Sequence, residues 1–134
     1  MQPHHTRSGV LVVESNVIVG MDLADWLQDH GYEVDGPVAC REAWIWLEAN
    51  TPKAAVLNFD LQSGTCVDLV RELRHRSVPL IIFSAYEQRF ALPEFQDVPW
   101  VTIPARLEQI GSLLHDLLCR TQARVEVTGS ILSL

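Results

Sequence analysis

Asn58 closes the apolar run Ala54-Ala55-Val56-Leu57, and Asp60 follows two residues later. Glu14, Ser15 and Asn16 follow a similar run, Val10-Leu11-Val12-Val13. Ser84 follows Leu80-Ile81-Ile82-Phe83, and Ile103-Pro104 follows Trp100-Val101-Thr102. Short, continuous apolar runs that end in a polar residue are the pattern of strands buried on both faces. A carboxylate at such a strand end can accept a phosphoryl group or hold a hard cation. A carboxamide is neutral and a poor nucleophile, so the chemistry open to this chain turns on Asn58.

The elements that must position these residues alternate. After the strand at Val10–Val13, the residues Val17, Met21, Ala24 and Leu27 recur at helical spacing, with Asn16 as N-cap and Gly31 as the stop. Tyr32 to Val38 reads as a second strand ended by Gly36-Pro37. A helix from about Arg41 to Asn50 follows, with Cys40, Ala43, Trp44 and Leu47 on one face. Pro52 precedes the third strand, Ala54 to Phe59. A turn at Gln62-Ser63-Gly64 leads to a helix striped by Cys66, Leu69, Val70 and Leu73. Pro79 to Phe83 is a fourth strand. Ser84 to Pro99 contains Pro93 and no long apolar stripe, so a short helix at most is expected there. The fifth strand is Trp100–Thr102, and Leu107, Ile110, Leu114 and Leu117 mark the last helix. Strands alternating with helices predict an α/β fold: a parallel five-stranded sheet with helices on both faces and right-handed crossovers. Ligand sites in such sheets lie at the carboxyl ends of the strands, where the polar residues above collect.

The 134 residues suffice for one domain with its own core, taken as residues 8–120, with 121–134 as a tail that forms an extra strand, pairs two chains or frays. A net charge of −7 argues against nonspecific binding to nucleic acid, which requires clustered Lys and Arg. No apolar run reaches membrane-spanning length, and residues 1–9 lack the apolar core of a signal peptide, so a cytoplasmic location is expected. Cys40, Cys66 and Cys119 are odd in number and widely spaced, and are expected to be free thiols. GxGxxG, P-loop and GxSxG motifs are absent, which removes the loops that dinucleotide, nucleotide and hydrolase chemistry need. No FMN loop follows the first strand.

Taken together and in order, Val12-Val13-Glu14-Ser15-Asn16, Leu57-Asn58-Phe59-Asp60-Leu61, Ile82-Phe83-Ser84-Ala85-Tyr86 and Thr102-Ile103-Pro104 resemble the receiver domain of two-component response regulators. The Gly36-Pro37 turn and the short region after the fourth strand are similar to single-domain receivers of α-proteobacterial stress signalling. The resemblance spans roughly Val10 to Leu118 and implies a three-layer, doubly wound, flavodoxin-like parallel sheet in the order 2-1-3-4-5. It also implies an Mg²⁺-holding acidic pair at Glu14-Ser15, a phospho-accepting position at Asn58, a switch residue at Ser84, a lysine position at Ile103 and an aromatic switch at Trp100. Three of these positions depart from the pattern. Asn58 cannot form an acyl phosphate, Ser15 leaves Glu14 as the sole acid of its pair, and Ile103 carries no cation. Hard Mg²⁺ favours carboxylate oxygens, so Glu14, with Asp60, would form at best a weak metal site.

The expectation is therefore a stand-alone, degenerate receiver, without enzymatic activity or a required cofactor. It would act by protein–protein interaction with a histidine kinase, a phosphotransfer protein or another regulator, or as a homodimer. Two alternatives stay open: a receiver phosphorylated on Asp60, whose side chain points the same way as that of Asn58 on an extended strand, and a small-ligand or enzymatic domain on the same fold. Glu14 also suits helix capping, and Ser84 suits capping of its own turn. Ile103 is expected to fill the lysine's place beside Asn58. Trp26 is expected to be partly exposed, Trp44 to lie on the core face and Trp46 to be exposed, and His4-His5 reads as an ordinary tail pair. Exposed aromatics would suit a protein interface.

Overall fold

The structure, a computed structural model, describes the backbone of residues 9–58 and 64–132 and the side chains of residues 9–58 and 66–121. Asp60 and the His4-His5 pair lie outside the described residues. The elements run β1 (Val10–Val13), α1 (Val17–Asp29), β2 (Val34–Val38), α2 (Cys40–Leu47), β3 (Ala54–Leu57), α3 (Gly64–His75), β4 (Leu80–Ser84), two 3₁₀ turns (Gln88–Phe90 and Pro93–Phe95), β5 (Trp100–Thr102) and α4 (Leu107–Leu132). All neighbouring strands pair in parallel, in the order β2-β1-β3-β4-β5. The expected sheet is thus the observed one.

Side chains alternate across each strand, and this divides the apolar residues into two layers. Leu11, Val13, Ala55, Leu57, Leu80 and Ile82 face α2 and α3, meeting Ala43, Leu47, Leu69, Val70 and Leu73. Val10, Val12, Ala54, Val56, Ile81 and Phe83 face the other way, against Leu23 and Leu27 of α1 and Ile110 and Leu114 of α4. With helices on both sides, β1, β3 and β4 are buried along their whole length.

Helix α1 begins as expected, the Asn16 side chain accepting from the Val19 amide at 3.2 Å. Its buried face is Gly20, Leu23, Ala24 and Leu27; Val17 and Met21 are exposed, contrary to the expected stripe. The phase is set by Gly20. A Cβ there would lie 2.5 Å from Pro37 Cβ, so the helix approaches β2 through its one residue without a side chain. Trp26 is half-buried and lies across α4 at Gly111, where a Cβ would fall 2.2 Å from its ring. The ring also stacks on His30, centroids 3.7 Å apart.

Gly36-Pro37 lies inside β2 rather than ending it, and the peptide between the two is cis, as is Ile103-Pro104. Proline is tolerated because β2 is an edge strand. Gly36 has φ 105°, and a Cβ would meet the Val12 carbonyl oxygen at 2.5 Å. Trp46 is not exposed: it and Trp44 are both half-buried against the α2–α3 layer, while Ile45 between them faces solvent.

No α-helix forms between β4 and β5. The backbone is held instead by side-chain amides: Gln88 Nε2 donates to the carbonyls of Phe95, Gln96 and Val98, and Gln96 Nε2 donates back to those of Gln88 and Ala91. Arg71 pairs with Glu94, and Arg74 with Asp97 at 3.0 Å, tying this connection to α3. The Arg71 guanidinium holds the Glu94 carboxyl below the usual carboxylate range and is itself raised by that pairing.

Two further expectations fail. The segment from Thr121 is neither a strand nor a separate tail: α4 continues without interruption to Leu132. The alternation of Val125 and Val127 suggests a strand, but adding residues to an existing helix costs far less than starting a new element. Nor are all three cysteines free. Cys40 and Cys66 form a disulfide joining α2 to α3, and Cys119 alone is free. The topology places α2 and α3 side by side on one face, and sequence spacing does not report that proximity.

Candidate functional site

Glu14, Asn58, Ser84 and Ile103 converge at the carboxyl end of the sheet because parallel strands end together. Two backbone bonds fix the register there: the Glu14 amide donates to the Val38 carbonyl at 2.8 Å, and the Asn58 amide to the Val13 carbonyl at 2.9 Å. The Glu14 side chain is buried, 6% exposed. Its Oε1 accepts from Asn58 Nδ2 at 2.7 Å, and its Oε2 accepts from the Asn16 amide at 3.0 Å. Both carboxylate oxygens are therefore engaged by N–H donors, as a buried carboxylate requires. Ser15 is exposed beside them.

Ser84 is 1% exposed, and its Oγ accepts from the Tyr86 amide at 3.1 Å, capping its own turn. The Tyr86 carbonyl in turn accepts from Trp100 Nε1 at 3.0 Å. Trp100 is half-buried and packs on the α2–α3 layer, so its indole is tied to the segment that follows β4. The Ile103 amide donates to the Ser84 carbonyl at 2.8 Å, and its half-buried side chain joins the α1–α4 layer.

This is an unusual donor set for a hard cation. Two or more carboxylate oxygens directed at one point would suit Mg²⁺. Here the Glu14 carboxylate faces an amide N–H₂, and among the described residues no three His, Cys, Asp or Glu side chains gather to hold a metal. The described residues alone do not make an Mg²⁺ site.

Comparison with known proteins places this geometry. No family model matches the chain. The virulence transcriptional regulatory protein PhoP of Salmonella typhimurium is 28% identical over 116 residues, covering 83% of this chain and 52% of that protein. The chain thus spans about half the length of the curated relatives it matches. The response regulator PhyR from Brucella abortus superposes with a TM-score of 0.74 at 23% identity, over 92% of this chain and 53% of that one. A response regulator receiver protein from Sinorhizobium medicae superposes at 0.69 and 17% identity, over 84% of this chain and 94% of that one. The chain has the receiver fold.

Within the receiver fold, Glu14, Asn58, Ser84 and Ile103 stand at the same end of the sheet, with Asn58 bonded directly to Glu14. What sequence reasoning missed are main-chain partners, namely the Asn16 amide on Glu14 and the Tyr86 carbonyl on Trp100. Backbone groups carry no signal of residue type. It also missed the Cys40–Cys66 bond, which the expected topology would have suggested had the two helices been placed on one face of the sheet.

Proposed function

We propose that this chain is a two-component signalling module of the receiver type that is not phosphorylated at Asn58 and works by binding another protein. The Asn58 amide bonded to Glu14 carries this reading. An amide nitrogen cannot attack a phosphorus centre as a carboxylate does, and here it also occupies the Glu14 carboxylate that would help hold a cation. The cation position is filled by an isoleucine packed into the apolar layer. The module catalyses no reaction of its own and acts in the cytoplasm, where a histidine kinase, a phosphotransfer protein or another regulator is its partner.

The test is direct. After incubation of the protein with acetyl phosphate and Mg²⁺, intact mass should show no phosphoryl adduct that hydroxylamine removes. A stoichiometric adduct, on Asp60 or elsewhere, would overturn the proposal. Asn58→Asp alone should label weakly, because Ser15 and Ile103 remain; efficient labelling of that variant would show that Asn58 is the sole block.

A further inference from the structure

The Cys40–Cys66 bond lies where it can act on the site. Cys40 is the first residue of α2, and Cys66 lies in the first turn of α3. These helices leave the carboxyl ends of β2 and β3, and in the sheet β1 lies between those two strands. The bridge therefore straps across the end of β1, which carries Glu14. On one side, Cys40 follows by two residues Val38, whose carbonyl holds the Glu14 amide. On the other, α3 continues the chain that leaves Asn58, the residue bonded to the Glu14 carboxylate. The two cysteines differ in exposure: Cys66 is 7% exposed and sits in the apolar layer, while Cys40 is half-buried.

We propose that Cys40 and Cys66 form a reversible redox modification site, with low-molecular-weight thiols and disulfides as co-reactants, and that the bridge governs the mobility of the Glu14–Asn58 end of the sheet. The thiolate of a small thiol attacks Cys40 Sγ, on the less buried of the two residues. The Sγ–Sγ bond breaks, and Cys66 leaves as a thiolate that takes a proton. A second small thiol attacks the mixed disulfide, releasing the Cys40 thiol and a small disulfide. Two electrons and two protons pass to the protein, and the reverse sequence closes the bridge. With the bridge open, the packing of Cys66, Val67, Leu69 and Val70 in the apolar layer still holds the start of α3. This site is independent of the reading of Asn58, because its chemistry involves neither Asn58 nor a phosphoryl group.

The full chain is equilibrated in glutathione buffers of graded ratio, quenched in acid, alkylated in denaturant so that buried Cys66 also reacts, and weighed. Oxidised protein should take one adduct, on exposed Cys119, and reduced but folded protein three. Amide exchange of the α3 first turn, Glu14 and Asn58 should be at least about tenfold faster in the reduced form, with β5 unchanged, since opening is local. Cys40→Ala should exchange at the reduced rate in every buffer. Three adducts in excess oxidised glutathione, a bridge that opens only when the protein unfolds, or equal exchange in both redox forms would each overturn the proposal.

Discussion

Replacing Asn58 by alanine removes one of the two donors on the buried Glu14 carboxylate. Urea unfolding should show a loss of about 1–3 kcal/mol, the cost of leaving a buried polar group short of a partner. Asn58→Asp poses a different problem, because it sets two carboxylates at the 2.7 Å now spanned by the hydrogen bond. Like charges so close raise the pKa at which the pair loses its last proton. The folded state then binds more protons than the unfolded one, so stability is retained at low pH and falls as pH rises through the carboxylate range. Unfolding of the aspartate variant relative to its parent should accordingly be less favourable at pH 4.5 than at pH 7 (a range of about 2–3 units chosen to bracket carboxylate titration). A constant difference across pH would mean that the new carboxylate turns away from Glu14.

Among the elements, the mostly irregular connection from β4 to β5 depends on two glutamines. Gln88→Ala withdraws the amide shared by three backbone carbonyls. It should cost about 1–2 kcal/mol in urea unfolding and speed amide exchange between Gln88 and Val98 without touching β1. The contact of α1 with α4 is set by a glycine. In Gly111→Ala the new Cβ meets the Trp26 ring, 2.2 Å from its nearest atom. Crowding of this kind costs about 1–3 kcal/mol, and the gain of roughly 1 kcal/mol in helix propensity offsets only part of it. The variant should unfold at lower urea with altered tryptophan fluorescence; an increase in stability would show that Trp26 moves aside freely. These two cases also mark what a sequence conceals. The parallel sheet and its covering helices were legible because continuous apolar runs and helical stripes report burial directly. The phase of α1 was not, since its deciding residue is Gly20, which has no side chain for a hydropathy pattern to register.

For the molecule as a whole, the polar residues at the strand ends were legible by position, because parallel strands must finish together. Their partners were not, because Glu14 is satisfied partly by a main-chain amide and Trp100 by a main-chain carbonyl. The last helix was legible only to its middle, where the apolar stripe ends; beyond Thr121 it persists by propagation. That persistence has a mechanical side. At about 1.5 Å per residue, roughly 30 Å of helix axis separates Gly111, where Trp26 bears on α4, from Leu132. Treated as a stiff beam pivoting at Gly111, α4 converts a tilt of about 10° into a sweep of about 5 Å at its far end. A repositioning of one indole ring, too small to disturb the sheet, is thus geared up to the scale of a side chain at the tip of the beam.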